Sequence, residues 1–344
     1  MSNFPAGNFS CATIQTQKAA ADAAFRDGGI QNLQWKSNAD TVKAIMANQT
    51  AKMVALENSE KDFTVSLYWI NDCESGQGDC TNDCSVGGPE LSTDCKTYAL
   101  DLCTSFGFNV KEKAFRSSLL NMQEVVAKGM LSTERKLNEW VNRQVIAKLD
   151  LLRGSNAGPN NANHDVDNTA KLTYIPAHLW DASLNAEFYQ DAVINRMSNA
   201  FLLSGFNLHK MNWLAQKNAA NANGAGDGNM STTFPIYHDL FWLDSELSAK
   251  RTFLINPNAI FVANKAYYPL TPVEYKGTVG QIRWSKASSE IPGLVYDWIY
   301  TLSCTSNEIT HKYSAFVKLG VFGSPLMCDG TFTGIIGYEC GSGS

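Results

Sequence analysis

An α+β fold is predicted by three stretches of this sequence. FTVSLYWI and KTYALDLCTSFGF, at 63–70 and 96–108, are rich in β-branched and aromatic residues and read as two strands of an extended hairpin. Residues 115–153 then carry apolar side chains at helical spacing, and LVYDWIYTLSC and KYSAFVKLGVF near the end alternate with a period of two. Strands and helices in separate runs, rather than in strict alternation, point to α+β architecture.

The chain has 344 residues, room for two domains or one large domain with excursions. With 44% hydrophobic residues it can bury a substantial core. A net charge of -5 argues against a dedicated nucleic-acid binder, which would show a basic excess. The opening MSNFPAGNFSCATIQTQKAA has no basic region followed by an apolar run, and no stretch reaches about eighteen apolar residues. Synthesis and residence in a cytoplasm, with no membrane partner, are therefore expected.

Residues 1–60 are alanine-rich and polar. Within them DTVKAIMANQTAKMVAL reads as a short amphipathic helix through Val42, Ile45, Met46 and Met53. A frayed terminus is the expectation there, with an arm lying on a neighbouring subunit as the alternative. The hairpin that follows is marginal in water by itself, so cross-links or a neighbouring chain must support it. Along 115–153, Phe115, Leu119, Met122, Val126 and Met130 form one stripe, continued by Leu137, Val141, Val145, Leu149 and Leu152. Glu139 and Arg143 are placed for an i,i+4 pair, Gly154 for the C-terminal cap, and Gly129 with Ser132-Thr133 for a bend. Unbroken, this helix would run on the order of 55 Å. An acidic residue at Val141 should disable it, and one at Asn138, off the stripe, should be mild.

GSNAGPNNANHDVDNT at 154–169 reads as a linker. A second helical block is expected over 182–218, with Phe188, Met197, Phe201, Leu208 and Leu214 as landmarks. FPIYHDLFWLD and RTFLINPNAIFVAN suggest short buried strands. At the end, Leu294, Tyr296, Trp298, Tyr300 and Leu302 share one face, as do Tyr313, Ala315, Val317 and Leu319. Asp-Gly within the Cys-Asp-Gly-Thr turn at 328–331 predicts a hairpin into FTGIIGYEC.

Catalytic patterns are missing. There is no G-x-x-x-x-G-K-[ST], no G-x-S-x-G and no H-E-x-x-H, and NGAGDGN misses the dinucleotide fingerprint. The five histidines are scattered. His238, Asp239, Asp244 and Glu246 form the densest polar neighbourhood, but their apolar surroundings favour strand and turn over metal. We expect neither catalysis nor a cofactor. Cysteine is the exception: NDCESGQGDCTNDCSVGGPELSTDC holds Cys73, Cys80, Cys84 and Cys95, and Cys103 follows. Only Cys80 and Cys84 have zinc-like spacing, and the calcium-loop pattern is missing. Disulfides and free thiols remain.

The hairpin ending in KTYALDLCTSFGFNV and followed at once by the helix of 115–153 resembles the layout of major capsid proteins of tailed bacteriophages, which have the Hong Kong ninety-seven-type fold. RTFLINPNAIFVANKAYYPLTP and HKYSAFVKLGVFGSPLMCDGTFTGIIGYEC also look like that family, particularly members from phages of Bacteroidota hosts. The resemblance implies an N-terminal arm at 1–60, an extended loop at 61–108 and a peripheral domain with its spine helix at 109–169. It further implies a mainly axial domain at 170–285 and peripheral return strands at 286–344. Also implied are a virion shell assembled in the host bacterial cytoplasm and self-association in hexamers and pentamers. Portal, scaffold and decoration proteins would be further partners, with weak, non-specific contact to packaged DNA. The alternative reading is another virion component, a jelly-roll coat or tail protein.

A subunit made in a cytoplasm should carry Cys73, Cys80, Cys84, Cys95 and Cys103 as thiols until lysis. Pairing in the oxidising medium would then close loops worth about 2 to 4 kcal/mol each. Non-reducing mass mapping of mature particles should find local disulfides among these five, at least one of which must pair elsewhere or stay reduced. Five alkylated thiols would rule the staple out.

Overall fold

Thirty-one residues of this chain, Met122–Leu152, form one uninterrupted helix (α3) about which the remaining elements are arranged. A computed structural model describes residues 11–27, 36–49, 53–55, 64–71, 92–115, 122–156, 165–180, 184–213, 234–275, 281–305, 308–324 and 333–341. The apolar stripe works as expected: Met122, Val126, Met130, Leu137, Val141, Val145 and Leu149 are all buried. At 1.5 Å per residue, α3 is about 46 Å long. The helix runs through Gly129, where the ring of Phe108 lies so close that a Cβ could not be accommodated. Glycine here serves close packing, not a bend.

Its N-terminal neighbours are not frayed. Helices α1 (Cys11–Asp27) and α2 (Asp40–Asn48) bury Ile14, Ala21, Val42 and Ile45 in the same core as α3. The expected helix through Met53 stops at Asn48, and strand β1 (Met53–Ala55) pairs with β2 (Thr64–Asn71), which pairs with β3 (Ser92–Ala99). The predicted returning strand of 96–108 is in fact two. The chain leaves β3 at Leu100, which is buried, and β4 (Leu102–Lys111) enters a different sheet.

That sheet is built on β14 (Glu308–Gly323). On one side it pairs with β4 over Thr310–Leu319; on the other it pairs with β13 (Val295–Thr305) and then with β10 (Ile260–Asn264). Strands β12 (Gln281–Ala287) and β11 (Val273–Glu274) extend it beyond β13. The predicted alternation is met: Leu294, Tyr296, Trp298, Tyr300, Tyr313, Ala315, Val317 and Leu319 are buried, and only Leu302, 39% exposed, leaves the face. Trp284 and Trp298 are directly paired across β12 and β13, with ring centroids 6.0 Å apart.

The second six-stranded sheet runs β5 (Asp165–Asp167), β6 (Leu172–Ile175), β15 (Ile335–Cys340), β9 (Arg251–Ile255), β7 (Phe201–Ser204), β8 (Ile236–His238). Its central strands are apolar without alternation because both faces are covered. Phe201, Leu203, Phe253 and Ile255 face the α3 core, while Leu202, Leu254 and Tyr338 face helix α4 (Leu184–Ile194). Two expectations fail here. Phe201 lies in a strand between α4 and helix α5 (206–213), so the block of 182–218 is not wholly helical. Within 170–285, β10, β11 and β12 belong to the first sheet and the other strands to the second. Strand β15 does not form a hairpin with β14 but lies antiparallel to β9 and parallel to β6. Leu214 and the Asp-Gly turn itself lie outside the described residues.

Asn138 requires the sharpest correction. Far from lying off the buried face, it is 0% exposed: its amide donates to Ser37 Oγ at 3.3 Å, and its oxygen accepts from Ser288 Oγ at 3.2 Å and from the Tyr296 hydroxyl. Asn138→Asp would place a second buried carboxylate one turn from Glu134 and take from Ser37 Oγ its amide donor, so it should cost about 3 to 5 kcal/mol, comparable to breaking a buried charged network. Val141→Asp should fail equally. Urea unfolding of the two variants should give similarly lowered midpoints, and a near-wild-type midpoint for Asn138→Asp would contradict this packing.

Candidate interaction surface

The polar groups of α3 join the chain's pieces. Glu134, Asn138 and Asn142 follow one another at i,i+4 spacing, beside the apolar stripe, and all three are buried. Glu134 meets Lys286 of β12 at 2.8 Å and accepts from the Ser289 amide and from Ser288 Oγ at 3.3 Å. Lys286, itself 2% exposed, also reaches Asp22 of α1 at 3.0 Å. Burial pulls this ammonium's pKa down, but the two carboxylates outweigh it and leave it raised. Asn142 accepts from the Val42 amide of α2 at 2.9 Å and donates to Asp239 at 2.7 Å. Sequence reading missed this row; three polar residues on one line next to an apolar stripe were its only signal.

Asp239 belonged to the neighbourhood weighed for metal. It is fully buried and accepts from Thr41 Oγ1 at 2.8 Å, from Asn142, and from the amides of Phe241, Trp242 and Leu243 that open helix α6 (Trp242–Glu246). The other three residues do not converge with it. His238 Nδ1 sits 2.6 Å from Ser204 Oγ, Asp244 accepts from the Phe206 amide at 3.1 Å, and Glu246 pairs with Arg143 at 2.6 Å. Glu139 is 4.0 Å from Arg135, not paired with Arg143 as its spacing suggested. Among the described residues, no three His, Cys, Asp or Glu side chains are arranged to hold a metal ion. Nor is any described helix long and apolar enough to cross a membrane.

Of the five singled-out cysteines, Cys95 lies on β3 and Cys103 on β4, both exposed with free thiols. Cys73, Cys80 and Cys84 lie outside the described residues. The hairpin carrying Cys95 meets the rest of the chain at its base. Val65 and Leu100 pack with Ala263 and Phe322, and the Tyr98 ring stacks on Phe322 at 3.9 Å. Exposed apolar side chains gather elsewhere, at Tyr267, Leu270, Val273 and Tyr275 around the β11 edge.

No protein-family model matches this chain, and no curated protein matches it. Among solved structures, the capsid of an empty GTA particle is similar at 12% identity and a TM-score of 0.49, covering 91% of this chain and 93% of that one. The capsid of Ralstonia phage GP4 is similar at 14% identity and 0.47, covering 92% and 93%. The capsid asymmetric unit of cyanophage A-1(L) is similar at 9% identity and 0.46, covering 90% and 95%.

Two imidazoles, half-buried His238 and buried His311, give the fold a pH dependence. His238 is brought down to about 4 by burial and by the neighbouring His209, whose ring lies 4.6 Å away. His311 is also lowered, by burial, against the opposing pull of Glu112. A base whose folded pKa lies below its unfolded value of about 6.5 binds fewer protons when folded. Its stabilisation is complete above that pH and is lost as the pH falls toward the folded pKa. Asp40, Asp244 and Asp297, raised by burial from 3.8, act with the opposite sign at the acid end. The urea midpoint should therefore fall between pH about 7 and about 4.5, and His238→Gln should flatten that slope. An unchanged slope in the variant would remove His238 from the account.

Proposed function

We propose that this chain is the major capsid protein of a tailed bacteriophage, a structural subunit that builds an icosahedral shell around a double-stranded DNA genome. The observation that carries this reading is the β2–β3 hairpin. Among the described residues, its eight-residue strands pair with the three residues of β1 and pack on the large sheet through Val65, Leu100, Ala263, Phe322 and Tyr98 at their base. A small sheet of that kind, held to the rest of the chain at one end, gains stability from another surface, and in a shell that surface is a neighbouring copy. The family resemblance of the sequence and the long helix crossing both sheets support the same reading.

In this scheme the hairpin is the extended loop, residues 1–60 the arm, and α3 with the β14 sheet the peripheral domain. The second sheet with α4 and α5 is the axial domain. Copies associate as hexamers and pentamers in the host bacterial cytoplasm, with portal, scaffold and decoration proteins as further partners. A net charge of -5 supplies no basic excess, so contact with the genome is weak and independent of sequence.

Electron microscopy of the purified full chain should show closed icosahedral shells; tubes or stable monomers would reject the proposal. Hydrogen exchange should protect 64–71 and 92–99 at least tenfold more in particles than in monomer. Equal protection would leave the hairpin without its proposed role.

A further inference from the structure

The sheet edges of this chain are not treated alike. Strands β1, β5 and β8 are three residues long and β11 two, too short to template another strand. Strand β10 is capped by Gln49, whose side chain accepts from the Val262 amide at 3.0 Å and donates to its carbonyl at 3.4 Å. Strand β4 differs. It is ten residues long, LCTSFGFNVK, with neither proline nor any charge before Lys111. One side pairs fully with β14; among the described residues, no backbone group of 102–110 bonds to anything on the other. One face is exposed at Cys103, Ser105, Gly107, Asn109 and Lys111, while Phe106 and Phe108 are only half-covered on the opposite face.

The geometry points to a specific occupant for this edge: the same strand of a second copy, antiparallel, with a two-fold axis at Phe106. Antiparallel partners opposite one another share a face, so the axis must pass through a residue. At Phe106, residue i meets residue 212 minus i. Cys103 then faces Asn109, Ser105 faces Gly107, and Leu102 faces Val110. Asp101, exposed just before the strand, faces Lys111 of the other copy, whose ammonium also lies 3.0 Å from Glu308 of its own chain, and the symmetry makes this contact twice. No like charges are opposed, and the half-covered Phe106 meets its counterpart, while Phe108 faces Thr104 on the same face, diagonal to Phe106 of the other copy. The pairing rests on the capsid reading only in requiring that copies meet.

The test uses the full chain carrying Asn109→Cys, with native Cys103 as its partner. Within one copy these positions are six residues apart along a strand, about 20 Å, so a bismaleimide of about 8 Å reach links them only between copies. Mass mapping should find the 103–109 linked peptide. Asp101→Lys should lower its yield about tenfold by opposing lysines twice, and adding Lys111→Asp should restore it. Shells without this link, or a yield indifferent to the charge swap, would overturn the pairing and leave the capsid reading intact. The link found in tubes or dimers would keep the pairing and reject the shell, and a chain that stays monomeric would reject both.

Discussion

A carboxylate and two amides on one helix hold this chain together. Glu134, Asn138 and Asn142 tie α3 to the β12–β13 corner, to the segment before α2, to α2 itself and, through Asp239, to the second sheet. Apolar contacts around them supply most of the burial energy but tolerate sliding, because one methyl group serves about as well as another. Hydrogen bonds between buried groups do not, since a displaced helix would leave a donor or carboxylate without a partner in a poor solvent. A well-packed apolar row could match or exceed this one in stability. What the polar row provides is a single placement of α2 and the segment before it on α3.

The same constraint acts at both ends of the helix. At the C-terminal end, Arg251 of β9 meets Asp150 at 2.8 Å and Glu339 of β15 at 2.7 Å, while Arg153 bonds to Asp150 and donates to the Ala170 carbonyl at 2.9 Å. The Gly154 amide donates to the Ile335 carbonyl at 2.8 Å, so the helix leads directly onto β15. Asp239 is compensated differently. Backbone amides, a hydroxyl and an amide side chain all donate to it, so its charge is spread over fixed dipoles rather than met by a cation. The two sheets are thus placed against α3 by polar contacts at distinct points along its length.

These contacts mark where the sequence is legible and where it is not. The faces of β13 and β14 were readable because alternation is a local property that burial imposes on each strand separately. The apolar stripe of α3 was readable for the same reason. Asn138 was not, because an amide is equally common in water and in a satisfied core, and its partners lie about 150 residues away. The destination of β15 was misjudged for a related reason. Asp-Gly describes a turn, and which strand the chain meets afterwards depends on β9 and β6, both already sharing a buried sheet. The break at Leu100 escaped notice because the alternation of Tyr98, Leu100 and Leu102 persists across it, while the hydrogen-bonding partner changes.

Satisfaction inside has a consequence outside. Conformational entropy lost on association weakens binding, and a chain whose N-terminal helices, α3 and two large sheets are already fixed has little left to lose there. The remaining cost falls on the β2–β3 hairpin, held by β1 and by its base, and on side chains along β4, whose backbone is ordered by β14 before any partner arrives. An ordered edge presents its outward amides and carbonyls in register, so pairing adds hydrogen bonds without first organising a strand. The buried row and the open edge are therefore linked: α3 packs on β4 where Phe108 lies against Gly129, and the rigidity of the helix is passed to the strand through that contact. A side chain at 129 would push Phe108 away and loosen the edge without touching any exposed residue.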